Sequence, residues 1–132
     1  MREQIAAHLA VGRDPVGAVA VMFEDAARRM RERRCRGGCF VGNVAQEVSD
    51  RNETIRERVS DLLHYWRDQI AASLDRGRAS GYFRSDLEPG PAAEAILALF
   101  EGALLFSKAS RRADPVESSK RMAVAYLEGF RA

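Results

Sequence analysis

Apolar residues recur along most of this chain at helical intervals. After Asp14-Pro15, positions Val16, Val19, Ala20, Phe23, Ala26, Ala27 and Met30 follow the i, i+3, i+4, i+7 rhythm of one helix face. Asp14 can cap the free amides, and Pro15 at the first helical position forfeits no hydrogen bond. The clearest period follows later. Ile55, Val59, Leu62, Leu63, Trp66, Ile70 and Leu74 share a face, with Glu57, Asp61, Arg67 and Asp68 directed away from it. This helix is expected to end near Gly77 or Gly81. Between the two lies a break, Cys35-Arg36-Gly37-Gly38-Cys39, and then an apolar stretch, Phe40 to Val48, that reads as a short helix. Asp50 followed by Glu53 predicts a capping box at the start of the long helix.

The turn chemistry of Arg84-Ser85-Asp86-Leu87-Glu88-Pro89-Gly90-Pro91 predicts a connection, with Pro91 opening the next helix. Glu94, Glu101 and Lys108 are spaced by seven and form a narrow polar line on a helix otherwise covered by apolar side chains. A domain of this size cannot cover such a helix on every other side, which predicts a subunit interface at Leu99, Gly102, Ala103 and Phe106. Asp114-Pro115 starts a last helix with Val116, Ser119, Ala123, Tyr126, Leu127 and Phe130 on one side and Met122 widening that face. Ala123, Tyr126, Leu127 and Phe130 join the predicted interface. The helices at about 91 to 110 and 115 to 131 would pair with their copies as a four-helix bundle. Ile5, Ala6 and Leu9 at helical spacing make residues 2 to 11 read as the tail of a longer helix. No stretch alternates with period two. The expectation is an all-α antiparallel bundle, with residues 1–132 as a single domain.

Composition refines this picture little. A chain of 132 residues with 46% apolar and 30% charged side chains can fold around one core. A net charge of +2 implies no acidic partner, although Arg28, Arg29, Arg31, Arg33, Arg34 and Arg36 cluster at a helix end, where cations complement the dipole. The run Ala92 to Phe106, interrupted by Glu94 and Glu101, is too short to cross hydrocarbon. Two cysteines and the absence of an apolar leader place the protein in the cytoplasm with free thiols.

Candidate chemistry is sparse. His8 and His64 are the two histidines, and His64, flanked by Asp61 and Asp68, reads as a solvated salt-bridging residue. There is no di-iron Glu-x-x-His pair, P-loop, dinucleotide glycine pattern or nucleophile elbow, so no enzyme, metal or cofactor is expected. Cys35 and Cys39 follow an arginine-rich helix end, and nearby cations would lower a thiol pKa and favour redox or electrophile sensing. The alternative is that Cys39 packs as a small apolar residue against Phe40 while Cys35 is exposed. Phe23, Phe40, Leu62, Trp66, Ile70 and Phe100 lie on predicted inward faces, where they can form a filled core or line an apolar ligand cavity.

Gly38-Cys39-Phe40-Val41-Gly42-Asn43-Val44-Ala45 after a proline-started helix, with Ala79-Ser80-Gly81-Tyr82-Phe83-Arg84-Ser85-Asp86 before an alanine-rich helix carrying Gly102, resembles the C-terminal ligand-binding and dimerisation domain of the TetR (tetracycline repressor) family of transcriptional regulators. The resemblance spans the chain from about residue 5. It implies a homodimer, a small effector bound among the central helices, and a shift of the short helix as trigger, which adds Cys39 and Asn43 to the candidate ligand residues. Few charges face inward, so an apolar or aromatic effector is expected. Residues 1–11 resemble the remnant of the family's connecting helix, and no helix-turn-helix is seen, so DNA would be contacted only through a head absent from this sequence. The competing reading is a stand-alone helical homodimeric interaction module, with thiol sensing through Cys39 or Cys35.

Overall fold

The computed structural model describes Ala7, Leu9 and residues 14–132. Ile5, Ala6 and His8 therefore lie outside the described residues. Five helices follow one another: α1 (Pro15–Glu32), α2 (Phe40–Val48), α3 (Glu53–Ala79), α4 (Pro89–Ser110) and α5 (Asp114–Glu128). Among the described residues there is no strand, only an isolated antiparallel bridge between Phe83 and Arg131. The all-α architecture matches the expectation. α1 packs on α5, α3 on α4, and α4 on α5, with α2 laid against α3.

The predicted helix faces form the core. Val16, Val19, Phe23, Ala26, Ala27 and Met30 of α1 are buried, as are Trp66, Ile70 and Leu74 of α3. Leu62 is half-buried at the rim of this cluster. α4 contributes Ile96, Leu97, Phe100, Ala103 and Leu104, and α5 contributes Val116, Ala123 and Leu127.

Helix ends depart from expectation in instructive ways. Asp14 caps α1 as predicted, accepting from the Gly17 amide at 2.7 Å, which holds its carboxyl below its ordinary value. α3 is capped by Asn52, whose side chain accepts from the Ile55 amide at 3.0 Å. The Asp50–Glu53 box is not formed, because Asn52 already fills the cap position three residues before Ile55, and Glu53 turns to Arg56. α4 starts at Pro89 rather than Pro91, and α5 starts at Asp114 with Ala113 in the cap position, so Asp114 is inside the helix and not its cap.

One end of the bundle is clasped. Arg76 of α3 donates to the Leu9 carbonyl at 3.0 Å, and the Tyr82 hydroxyl donates to Asp14 at 2.9 Å. Arg131 stacks over the Tyr82 ring at 4.0 Å, and the Arg84 amide donates to the Phe130 carbonyl at 2.8 Å. The C-terminus, the α3–α4 connection and the start of α1 are thus tied into one junction.

Length alone does not exclude α4 from a membrane: its 22 residues are long and apolar enough to span one, which corrects the estimate from Ala92 to Phe106. Its buried side is instead part of the core against α1, α3 and α5.

Candidate functional site

The α1–α2 break reverses the chain through four positions with positive φ, Arg34, Cys35, Gly37 and Gly38. The Asn43 side chain locks this turn, donating to the Gly37 carbonyl at 2.6 Å and accepting from Lys108 Nζ at 3.3 Å. Both of its polar ends are thereby occupied. Cys39 sits at the cap of α2, its Sγ accepting from the Gly42 amide at 3.5 Å.

Opposite this cap stands Glu101 of α4. Its carboxylate lies so close to Gly42 that a Cβ at position 42 would require Glu101 Oε2 to shift. The Cys39 thiol is hydrogen-bonded to the same carboxylate. Burial pushes the Glu101 carboxyl above its usual range, with the thiol offsetting part of the effect. Oε1 of Glu101 is buried without a hydrogen-bond partner, and so are Nε1 of Trp66 and Oγ of Ser107. Buried polar atoms in folded proteins are rarely left unpaired, so such groups call for an explanation.

The polar line at positions 94, 101 and 108 is therefore only partly a solvent face. Glu94 is exposed and approaches Arg67 at 3.8 Å, whereas Glu101 and Lys108 reach inward to α2 and its preceding turn. Periodicity contained this signal: charges every seventh residue on an apolar helix mark one line, and α2 covers part of it.

Of the predicted ligand residues, Phe23, Trp66, Ile70 and Phe100 belong to one buried cluster, with the Phe23 and Phe100 rings edge to face at 5.3 Å. Cys39 and Asn43 stand at the α2 cap beside Glu101 and Lys108. Phe40 does not point inward: it is 68% exposed, because it is the first residue of a short helix covered on one side only, and the buried member of that turn is Val41. Cys35 is buried rather than exposed, at 5%.

The thiol environment runs against the sensing expectation. Burial and the neighbouring Glu101 push the Cys39 thiol up to about 11, so the arginines do not activate it. Alkylation of Cys39 by iodoacetamide should therefore be slow at pH 8 and accelerate only as pH approaches 11; a rate at pH 8 equal to that of a free model thiol would contradict this environment. His64 bonds to Ser60, at 2.8 Å to its carbonyl, rather than bridging Asp61 and Asp68. Among the described residues, no group of His, Cys, Asp and Glu is arranged to hold a metal ion.

The outer side of α4 and α5 is apolar. Phe106 and Met122 are 63% and 65% exposed, and Leu105 and Tyr126 are nearly half exposed. Between these helices runs a groove of about 510 Å³ that includes Leu99, Gly102, Ala103 and Phe106 in its walls. Ala123 and Leu127, expected at the interface, are packed inside the chain's own core, at 2% and 0% exposure, because they face α1 and α4 across the bundle. Phe130 follows the end of α5, half-buried against Tyr126 and beneath Arg84.

Two solved structures of transcriptional regulators share this arrangement. A regulatory protein TetR from Rhodobacter sphaeroides superposes with a TM-score of 0.86 at 27% identity, over 95% of this chain and 67% of that one. A TetR transcriptional regulator from Chloroflexus aurantiacus J-10-FL gives 0.82 at 28% identity, over 96% and 64%. The chain belongs to the TetR family: residues 15–123 match the Tetracyclin repressor-like, C-terminal domain. Transcriptional regulator AcuR of Cereibacter sphaeroides is 30% identical over 107 residues, which is 81% of this chain and 49% of that protein. HTH-type transcriptional repressor DhaR of Mycobacterium sp. (strain GP1) is 28% identical over 80 residues, 61% of this chain and 40% of that protein. The chain thus spans about half or less of the length of these curated relatives.

Proposed function

We propose that residues 1–132 act as one effector-binding and dimerisation unit of a cytoplasmic transcriptional regulator, without catalytic activity. Operator contact belongs in this reading to the family's N-terminal helix-turn-helix, outside the matched C-terminal domain. The effector is a small, mostly apolar or aromatic molecule with one hydrogen-bonding end. The observation that carries this reading is that three polar atoms, Trp66 Nε1, Glu101 Oε1 and Ser107 Oγ, are buried without a hydrogen-bond partner in a bundle whose core includes Phe23, Ile70 and Phe100. A donor and an acceptor left unpaired in an apolar interior favour a ligand that can satisfy them, and such a site rejects analogues lacking the polar group by large factors.

Dimerisation rests on the exposed apolar face of α4 and α5, since a contiguous apolar patch on a soluble domain marks an interaction surface. Ligand binding raises the unfolding temperature by mass action. Thermal unfolding against phenols, anilines and short amides, each paired with a hydrocarbon of equal size, tests the effector reading. Saturable stabilisation by polar-ended members at concentrations at least tenfold below their hydrocarbon partners is expected. No response from any compound would overturn it.

A further inference from the structure

We propose a second ligand site, for a phosphate-type oxyanion, in the cleft between the α1–α2 turn and the start of α5. This open cleft of about 580 Å³ is walled by Arg31, Arg34, Arg36 and Arg111, with Cys35, Ala113 and Asp114 completing it. Its charge is unbalanced. Arg31 is bound to Glu117 at 2.7 Å, and Arg112 takes the Asp114 carboxylate, but Arg34 and Arg36 have no side-chain hydrogen bond or ion pair among the described residues. Four guanidinium groups therefore line the cleft against one carboxylate, that of Asp114, in a chain whose total net charge is only +2.

The backbone supports the same polarity. Arg34, Cys35 and Arg111 all adopt left-handed φ values, 52°, 54° and 57°, a region that side chains beyond glycine rarely occupy and that tends to persist at binding sites. Arg111 closes α4 in this conformation and reaches back to the Cys35 carbonyl at 2.9 Å, fixing one wall to the other. α5 begins at the cleft with no side-chain cap, and its dipole there is met by Asp114 and Glu117 of its own first turn, so the arginines supply the positive charge of the cleft. Guanidinium forks match the oxygens of a phosphoryl group in a bidentate way.

The volume of the cleft, about 580 Å³, is that of a small-molecule site. The clasp of Arg76 on Leu9 and of Tyr82 on Asp14 lies at the start of α1. The cleft lies at its other end, 18 residues away, or about 27 Å at the usual helical rise. The occupant is a small molecule, either the free ion or a phosphate ester, and the site abuts the turn that Asn43 locks to α2.

Phosphorus NMR and calorimetry at low ionic strength, with inorganic phosphate, pyrophosphate and phenyl phosphate as probes, test the proposal. Saturable binding is expected, weakened about tenfold or more by Arg34→Ala and by Arg36→Ala separately, as for loss of a charge-assisted hydrogen bond. Both side chains are exposed and have no side-chain partner among the described residues, so thermal unfolding should be unchanged in the variants. Phenyl phosphate binding tighter than phosphate would identify an ester as the source, and equal binding would identify the free ion; either result supports the site. No saturable binding of any probe, binding by both variants as tight as that of the wild type, or equal weakening by the distant Arg58→Ala would overturn it.

Discussion

Glu101→Leu should make the unliganded chain more stable, by roughly 1–3 kcal/mol, the range for relieving a buried polar group without a partner, while removing the effector response. Leucine is similar in bulk, favours a helix at least as well as glutamate, and brings no oxygen to desolvate. Loss of the Cys39 hydrogen bond works against the gain, which places the expected value toward the lower end. The effect should also depend on pH. Because burial raises the folded-state pKa of Glu101 above the ordinary 4.5, the folded protein keeps a proton that the unfolded chain releases. Stability therefore falls as pH rises from about 4.5 through the raised folded value, and the wild type loses ground to the variant across that window. Urea unfolding at pH 4, 6 and 8 measures this directly. A variant less stable than wild type at pH 8 would show that Glu101 is satisfied in the folded state. This combination, a group that destabilises the empty fold and is needed for binding, is the common pattern at functional sites.

The second large effect is on association. Gly102→Arg should convert a dimer at micromolar concentration into a monomer, and Met122→Lys should do so independently. A Cβ at position 102 meets nothing within 4 Å, and Met122 is mostly exposed, so neither change disturbs the single chain. An arginine or lysine on the apolar face of α4 and α5 would instead have to be desolvated in the interface. Sedimentation velocity reads the outcome. A monomeric wild type, or dimers persisting in both variants, would contradict the assignment of this face.

Long, strongly periodic helices were legible in the sequence, and their faces carried over residue by residue: Phe23 on α1, and Trp66 and Ile70 on α3, are buried where the 3.6 period places them. Periodicity fails where a helix is short or has neighbours on more than one side. Phe40 opens a nine-residue helix, and its apolar character could not reveal that only the Val41 side meets the core. Ala123 and Leu127 share a stripe with Tyr126, but whether a stripe faces its own chain or a partner depends on which helix lies across from it. Glu101 was visible only as one member of a polar line, because nothing in the local sequence of α4 encodes the approach of Gly42 and Cys39 from α2. The basic stretch from Arg28 to Arg36 likewise read as a solvated helix end; the cleft appears only when Arg111 and α5 are brought beside it.

The central claim is that a polar-ended apolar effector binds in the interior that holds Trp66, with Glu101 needed for that binding. Trp66 is the chain's single tryptophan, so its emission reports on that place alone. Titration of wild type and Glu101→Leu with matched phenol and hydrocarbon series is the most direct measurement. The account predicts a saturable emission change in wild type with the polar-ended series, weakened at least tenfold in Glu101→Leu. Emission indifferent to every compound, or identical titrations in the two proteins, would contradict it.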